Sequence, residues 1–359
     1  FHFPKGAENH LLFDIGNRQG ESGAVADAYV SYAEDGRIEG WVITLPEYVK
    51  KYQPGAQVPL YFSAVVDKQP ASFGAFQGER QEPGVREMKG VGAGIYLTYD
   101  FPEASSVTAK IGLSYTSVEN ARLNLETEAK DLSHQAWEDY LGRIRVETTK
   151  KEDKVKFYTG LYHALLGRGL ASDVNGAYPK NDGSVGQLEM KDGKPVHNIY
   201  NTDAIWGGQW NLSQLWIMAY PEYVSDYVSS HLQAYQDAGW LADGLANNRY
   251  VSGVGTNLLP AIISAAYECG IRDFDTKLAY EACLKNELDG ENRPFGAGKV
   301  NTKEFVQYGY VPHADEGEGY QETFMFSASH TLEYSYTAWA VAQWAKQLYG
   351  SLQSVDVSV

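Results

Sequence analysis

The hydrophobic pattern of this chain changes period once, near residue 118, and this change limits the possible folds more than any other feature. Before it, apolar and polar residues mostly alternate, which is the spacing of β-strands with one buried face. After it, apolar residues recur every three or four positions, as they do on helices. The 359 residues also exceed what one hydrophobic core usually organises. We therefore predict a β domain over residues 1–118, a connector with a helix over 119–150, and a helical domain over 151–359.

The strands predicted in the first part are rich in Val, Ile, Tyr and Thr, and Gly, Pro, Asp and Asn clusters separate them. They are Ala28–Ala33, Gly40–Leu45, Val58–Val66, Gly94–Tyr99 and Val107–Tyr115. Short alternating strands with frequent turn signals are typical of an antiparallel β-sandwich. The polar stretch from Ser117 to about Ala129 is interpreted as a connector.

The helices predicted in the second part are separated by long loops that are rich in aromatic residues and glycine. They are Leu132–Arg143, Glu152–Gly167, Asn211–Ala219, Glu222–Ala238, Thr256–Cys269, Asp273–Lys285 and Ser327–Leu348. Pro221 precedes the fourth and Gly239 follows it, as expected for the start and the end of a helix. Successive helices of this kind resemble part of an (α/α)6 toroid.

Composition excludes some classes of partner. The net charge is −16 and the basic residues are scattered, whereas a phosphate-binding surface needs clustered positive charge, so we expect no nucleic acid as partner. No run of about 18 apolar residues exists, so we expect no membrane span. The first residues show no basic stretch followed by an apolar one, so no signal peptide is expected there. The 26 Tyr and 8 Trp residues suit sugar rings, although such rings also fill protein cores.

Three loops carry carboxylates among aromatic residues or glycines. In the first, Asp173 either shapes an Asx-type turn or contacts a ligand. In the second, Asp203, Trp206 and Trp210 surround a glycine pair that would let a ligand approach the backbone. In the third, which is strongly acidic, Glu322 lies either in a solvated loop or against a sugar or a cation. Asp173, Asp203, Trp206, Trp210 and Glu322 are therefore the candidate substrate-binding residues.

Several sequence segments occur in the order in which one family of glycosidases has them. They are FYTGLYHALL at Phe157–Leu166, SDVNGAY at Ser172–Tyr178, GWLADG at Gly239–Gly244, NLLPAIISAAYECGIRDFD at Asn257–Asp275 and HTLEYSYTAWAVAQWAK at His330–Lys346. From about Val107 to its end, the chain resembles the α-mannosidases of glycoside hydrolase family 92.

This resemblance implies a β-sandwich, an (α/α)6 toroid and the calcium-dependent removal of terminal α-linked mannose with inversion. Glycosidases normally use two carboxyl groups for this chemistry. In the family, both groups and most calcium ligands lie downstream of the Thr-Leu-Glu-Tyr helix. We therefore assign neither catalytic residues nor metal ligands, and we expect a further segment or chain to complete the toroid. The resemblance also implies a mannose-containing glycan as partner, and a secreted, periplasmic or cell-surface location.

The chain departs from the family at positions that would contact the sugar. Gly207 and Gly208 replace the Asp and Thr of a Trp-Asp-Thr motif, and Trp210 replaces an Arg. Thr337 and Ala338 replace a pair of Asp residues, and no His is found near Asn257. A second hypothesis is therefore a glycan-binding or scaffold relative without turnover. A third is a polysaccharide lyase with His313 or Tyr320 as its base.

Overall fold

The structure is a computed structural model of the chain. It describes residues 1–20, 23–128, 132–166, 169–201, 205–246, 248–252, 254–313 and 326–350. The chain divides into two compact units. Unit 1 comprises Phe1–Glu138, Ala171–Pro179 and Gly183–Val196, and unit 2 comprises Asp139–Leu170, Lys180–Asp182 and His197–Val359. This division differs from the predicted domains, because the chain returns to unit 1 for two segments after residue 170.

Most of unit 1 is built from short strands. Its elements up to residue 128 are β1 (His2–Phe3), β2 (Gly6–Asp14), β3 (Ala24–Tyr32), β4 (Ile38–Leu45), α1 (Glu47–Tyr52), β5 (Val58–Val66), β6 (Ser72–Gln77), β7 (Arg80–Pro83), β8 (Glu87–Lys89), β9 (Ala93–Phe101), β10 (Ser105–Ser106), β11 (Ala109–Ser114) and α2 (Val118–Glu128). The five predicted strands correspond to β3, β4, β5, β9 and β11.

Two antiparallel sheets of unit 1 share one hydrophobic core. The first has the strand order β11-β5-β4-β3-β8 and the second has the order β2-β9-β6-β7. Phe13 of β2, Val30 of β3, Phe62 of β5 and Leu97 of β9 are buried together in this core. Since successive side chains of a strand point to opposite faces, each sheet supplies every second residue to the interior. The predicted antiparallel β-sandwich is confirmed.

The interpretation of residues 117–129 as a polar connector is wrong, because most of this stretch forms α2. Ser117 begins the helix, since its Oγ accepts a hydrogen bond from the backbone N–H of Asn120 at 3.0 Å. Ala121 and Leu125 are buried. Gly112 of β11 permits this packing, because a side chain there would lie 2.2 Å from the carbonyl oxygen of Ala121. Few apolar residues are enough for a helix that lies against a sheet.

The remaining elements include short hairpins and the helices of unit 2. They are α3 (Leu132–Leu141), α4 (Lys151–Leu165), β12 (Gly169–Leu170), β13 (Ala177–Pro179), β14 (Val185–Gln187), β15 (Met190–Lys191), β16 (Lys194–Pro195), β17 (Tyr200–Asn201), α5 (Ile205–Gly208), α6 (Leu212–Ala219), α7 (Pro221–Ala238), β18 (Gly244–Ala246), β19 (Arg249–Val251), α8 (Leu259–Glu268), α9 (Thr276–Leu288), α10 (Thr302–Tyr308) and α11 (Ser327–Tyr349).

The core of unit 2 lies between α6, α7, α8, α9 and α11. Trp216, Tyr227, Ile263, Cys283 and Trp344 are among its buried residues, one from each of these helices. The predicted helical region after the β domain is therefore confirmed. The closure of these helices into part of a toroid stays a prediction.

The ends of α7 follow the predicted signals. Pro221 is its first residue. Gly239 follows its last residue with a φ of 79°, a left-handed conformation that glycine adopts without strain. The N–H of Gly239 donates to the carbonyl oxygen of Tyr235 at 2.6 Å.

Candidate functional site

Unit 2 contains a cavity of about 300 Å³ near the start of α11. Three parts of the chain line it: the α5 segment, the loop that precedes α8, and the first two turns of α11. Its described lining residues are Trp206, Trp210, Val254, Thr256, Leu258, Phe326, Ser329, His330 and Glu333. A cavity of this size is at the lower end of the range for small-molecule sites.

The two tryptophans are held at the cavity by their neighbours. Gln209 is buried, and its Nε2 donates a hydrogen bond to the hydroxyl of Tyr336 on α11 at 2.7 Å. Its carbonyl oxygen accepts from the Oγ of Ser213 at 3.3 Å. The two hydrogen bonds of Gln209 hold the segment between Trp206 and Trp210 in place. Trp210 itself remains 67% exposed.

The buried carboxylate of Asp243 shapes the loop that precedes α8, and this loop forms another wall of the cavity. Asp243 is fully buried and accepts hydrogen bonds from the Oγ of Ser252 at 2.9 Å, from the N–H of Gly255 at 3.0 Å and from the N–H of Asn257 at 2.7 Å. Asn257 has a φ of 43°, in the left-handed region that Asn tolerates better than most residues. These contacts hold the intervening Thr256 in the wall of the cavity.

His330 joins α11 to the same loop. Its Nε2 lies 2.9 Å from the carbonyl oxygen of Val254, so this nitrogen carries the hydrogen and donates. Burial lowers the pKa of His330, and the bond to Val254 partly opposes this shift. The ring is therefore neutral at physiological pH, and Nδ1 is a hydrogen-bond acceptor. Nδ1 is buried and has no hydrogen-bond partner within the described part of the chain.

Glu333 lies three residues after His330, and residues at this spacing share one face of a helix. Its Oε2 is also buried, and no described residue donates a hydrogen bond to it. Burial raises the pKa of Glu333. The cavity lining thus combines aromatic side chains with two residues that each carry a buried, unpartnered acceptor atom.

The predicted site residues have different positions. Trp206 and Trp210 lie together in the cavity lining. Asp173 belongs to unit 1, and it is not among the described residues that line the cavity. Asp203 and Glu322 lie outside the described residues.

Asp173 is almost completely buried, with 3% of the residue exposed. Its carboxylate accepts hydrogen bonds from the Oγ of Ser114 at 3.0 Å, from the Oγ1 of Thr116 and from the Nδ2 of Asn124 at 2.7 Å. These contacts join the end of β11, α2 and the 173–177 loop. They indicate a structural role, and a contact between Asp173 and sugar stays a prediction.

His330 and Glu333 were not predicted as site residues. The available signal was their place in the HTLEY segment, three residues apart on a predicted helix. For the lyase hypothesis, His313 is exposed, and Tyr320 lies outside the described residues.

The described ranges contain neither a cluster of metal-binding side chains nor a helix that could span a membrane. No group of three or more His, Cys, Asp or Glu side chains there could hold a metal ion. These residues therefore do not identify a calcium site, and calcium dependence stays a prediction. Within the same ranges, no helix has the length and apolar character needed to cross a membrane.

A β-sandwich followed by helices, with a cavity that combines tryptophans and a carboxyl group, is an arrangement suited to a carbohydrate-active protein. The model of the glycosyl hydrolase family 92 N-terminal domain matches residues 1–114, and that of the family 92 catalytic domain matches residues 119–356. The chain therefore belongs to glycoside hydrolase family 92. The match also includes the β domain, beyond the stretch from Val107 that the sequence segments had indicated.

Solved structures show the same fold. The family GH92 α-mannosidase BT3965 from Bacteroides thetaiotaomicron, in complex with mannoimidazole, has a TM-score of 0.80 at 20% identity, over 97% of this chain and 44% of that chain. The family GH92 inverting mannosidase BT2199 from the same organism has a TM-score of 0.75 at 20% identity, over 90% and 43%. The family 92 glycosyl hydrolase ccman5 has a TM-score of 0.67 at 20% identity, over 99% and 44%. No curated protein matches the chain. The chain thus spans less than half the length of these solved relatives.

Proposed function

We propose that this chain is part of a glycan-processing hydrolase that removes terminal α-linked mannose with inversion and depends on calcium. The observation that carries the proposal is the cavity with Trp206, Trp210, His330 and Glu333, which lies inside the matched catalytic domain. Aromatic faces pack against the C–H faces of a sugar, and buried acceptors bind its hydroxyl groups. The same family membership supports a secreted, periplasmic or cell-surface location, which fractionation of the native cells would test.

The catalytic carboxyl pair of such a hydrolase is not assigned to described residues of this chain. Its cavity binds and orients the saccharide, and the groups that cleave the bond would come from a further segment or chain. Calcium would supply positive charge beside the sugar hydroxyls. The described residues present no group of His, Cys, Asp or Glu side chains that could hold it.

A second candidate function is glycan binding without turnover. The observation that favours it is the glycine pair Gly207-Gly208, which stands where the resemblance to family 92 implies Asp and Thr. Loss of a carboxylate that binds hydroxyl groups removes charge-assisted hydrogen bonds of about 1.5–3 kcal/mol each. A protein changed in this way would keep the aromatic walls and still hold a saccharide weakly.

An assay of the intact polypeptide against α-mannosides, with and without a chelator, separates the two candidates. Turnover that a chelator abolishes and added calcium restores is expected of the hydrolase. Saturable binding in calorimetry without turnover is expected of the binding protein. If neither binding nor turnover is detected, both functions are wrong for this polypeptide.

Replacement of Trp210 tests whether the cavity is the site of binding. We expect Trp210→Ala to weaken α-mannoside binding about fivefold or more, because truncation of an aromatic residue that covers a ligand costs about 1 kcal/mol or more. Trp339→Ala is the matched control, since Trp339 is similarly exposed at 60% but does not line this cavity. Equal affinities for the two variants would contradict the assignment of the cavity.

A further inference from the structure

Two residues that line the cavity each have a buried acceptor atom without a hydrogen-bond partner among the described residues. They are Glu333, through its Oε2, and His330, through its Nδ1. A buried polar atom without a partner costs free energy, so native structures rarely leave such atoms unsatisfied. Here both atoms belong to residues that line one cavity.

The chemistry of these atoms restricts the ligand. The Nδ1 of His330 accepts, because the Nε2–H of the same ring is donated to Val254. The carboxyl group of Glu333 accepts hydrogen bonds in its ionised form. A ligand that bonds to both residues then presents donors, as hydroxyl groups do. The indole rings of Trp206 and Trp210 add apolar faces, which a neutral polyol ring matches.

The sequence between the two tryptophans gives Glu333 a particular importance. Gly207 and Gly208 lie there, and glycine has no side chain that could bind a hydroxyl group. Glu333 is the acidic side chain among the described lining residues of this cavity. Its carboxyl group is therefore the one available there to make charge-assisted hydrogen bonds with a sugar.

We propose that Glu333, with His330 beside it, is the residue that selects the saccharide in this cavity, by accepting hydrogen bonds from its hydroxyl groups. This inference rests on the proposed function and extends it to a specificity-determining residue. Glu333 acts here by binding and orientation, and no proton transfer is attributed to it.

The test compares wild type and Glu333→Gln in calorimetric titrations with methyl α-D-mannopyranoside and its 2-, 3-, 4- and 6-deoxy analogues. In the wild type, at least one deoxy analogue should bind about tenfold to a hundredfold more weakly, since a lost hydrogen bond to a charged group has this effect. The variant should bind the parent sugar more weakly by a similar factor, and it should no longer distinguish that analogue. Such coupling between a side chain and a hydroxyl group is what a double-mutant cycle measures.

Glu152→Gln is the matched control, because Glu152 is an exposed glutamate on α4 of the same unit. Circular dichroism and the melting temperature establish that each variant folds. If Glu333→Gln does not fold, Glu333→Asp replaces it, since Asp keeps the charge but draws it back by one methylene group. The Glu333→Asp variant should then change the relative affinities for the deoxy analogues.

The outcomes separate the inference from the function. If the wild type binds none of the mannosides, the proposed function fails. If the wild type binds them, and Glu333→Gln has the same affinity for the parent sugar and the same relative affinities for the deoxy analogues, the inference is wrong and the proposed function stands.

Discussion

At the scale of single residues, unit 2 contains an ion pair that is almost completely removed from solvent. The Nζ of Lys299 contacts the Oε2 of Glu287 and the Oγ1 of Thr337, and it lies 5.0 Å from the ring centre of Tyr334. The side chains of Lys299 and Glu287 are 1% and 5% exposed. Burial raises the pKa of Glu287 and lowers the pKa of Lys299, and their mutual attraction opposes both shifts. The pair is therefore stable only while both partners are present.

Thr337 gives this pair a second partner. Its Oγ1 lies 3.2 Å from the Oε2 of Glu287 and 3.2 Å from the carbonyl oxygen of Tyr334, so the hydroxyl has two acceptors within reach, and it accepts from Lys299. With Thr337, one lysine faces one carboxylate and a neutral hydroxyl, so this buried cluster contains no second negative charge from that position.

Removal of one partner should destabilise unit 2 strongly. We expect Lys299→Met to lower the free energy of unfolding by about 3–5 kcal/mol, because Glu287 is left in the interior without its counter-charge. The double variant Lys299→Met/Glu287→Leu should recover most of this loss. Urea denaturation followed by circular dichroism measures both. Lys303→Met is the control, since its ion pair with Glu291 is exposed and should make no measurable difference. A loss in Lys299→Met no larger than in Lys303→Met would contradict this account.

At the scale of elements, the cavity depends on the loop between β19 and α8. Asp243 fixes this loop from one side, and His330 and Tyr334 of α11 contact it through the carbonyl oxygens of Val254 and Gly255. The loop therefore connects the position of α11 to the shape of the cavity. Replacement of Asp243, which anchors the loop, should therefore lower both the stability of unit 2 and its affinity for a saccharide.

Asp243→Ala tests this connection. We expect a loss of about 3 kcal/mol or more in the free energy of unfolding, because the N–H groups of Gly255 and Asn257 lose their buried acceptor. We also expect at least a tenfold loss of mannoside affinity, measured by calorimetry on the folded variant. Asp275→Ala is the control: Asp275 caps α9 through the N–H of Leu278 at 2.9 Å, so its removal should cost about 1 kcal/mol and leave binding unchanged. Unchanged affinity in Asp243→Ala would show that the loop does not shape the site.

Most helices and several strands could be predicted, because their apolar residues repeat at the period of the element. The prediction Ser327–Leu348 differs from α11 by one residue at its end. The helix α2 was missed because its packing depends on the close approach that Gly112 allows, and a sequence pattern does not show which strand a helix will meet. The strands β2 and β6 were missed as well, because their alternation is interrupted by glycine and polar residues.

The site could be predicted only in part, for a similar reason. Trp206 and Trp210 were found because aromatic residues beside a glycine pair are a local signal. Glu333 was missed because its distinguishing property is the absence of a donor around a buried oxygen atom, which arises only in the folded chain. Asp173 resembled a ligand-binding residue in sequence, and in the structure its carboxylate holds unit 1 together.

At the scale of the whole molecule, the two units have separate hydrophobic cores. The core of unit 1 includes Ile95 and Leu97, and the core of unit 2 includes Ile263 and Trp344. A domain with its own core can in principle fold alone. A chain with two such cores need not unfold in a single cooperative transition, even though single small domains usually do.

We expect urea denaturation to show two transitions when tryptophan fluorescence and far-UV circular dichroism are followed together. Ile95→Ala should move only the transition of unit 1, and Ile263→Ala only that of unit 2. Both residues are fully buried, and the cavity left by each substitution should cost about 2–5 kcal/mol. Leu332→Ala should move neither transition, since Leu332 is 72% exposed on α11. One transition that both core variants shift by the same amount would mean that the two cores unfold as a single cooperative system.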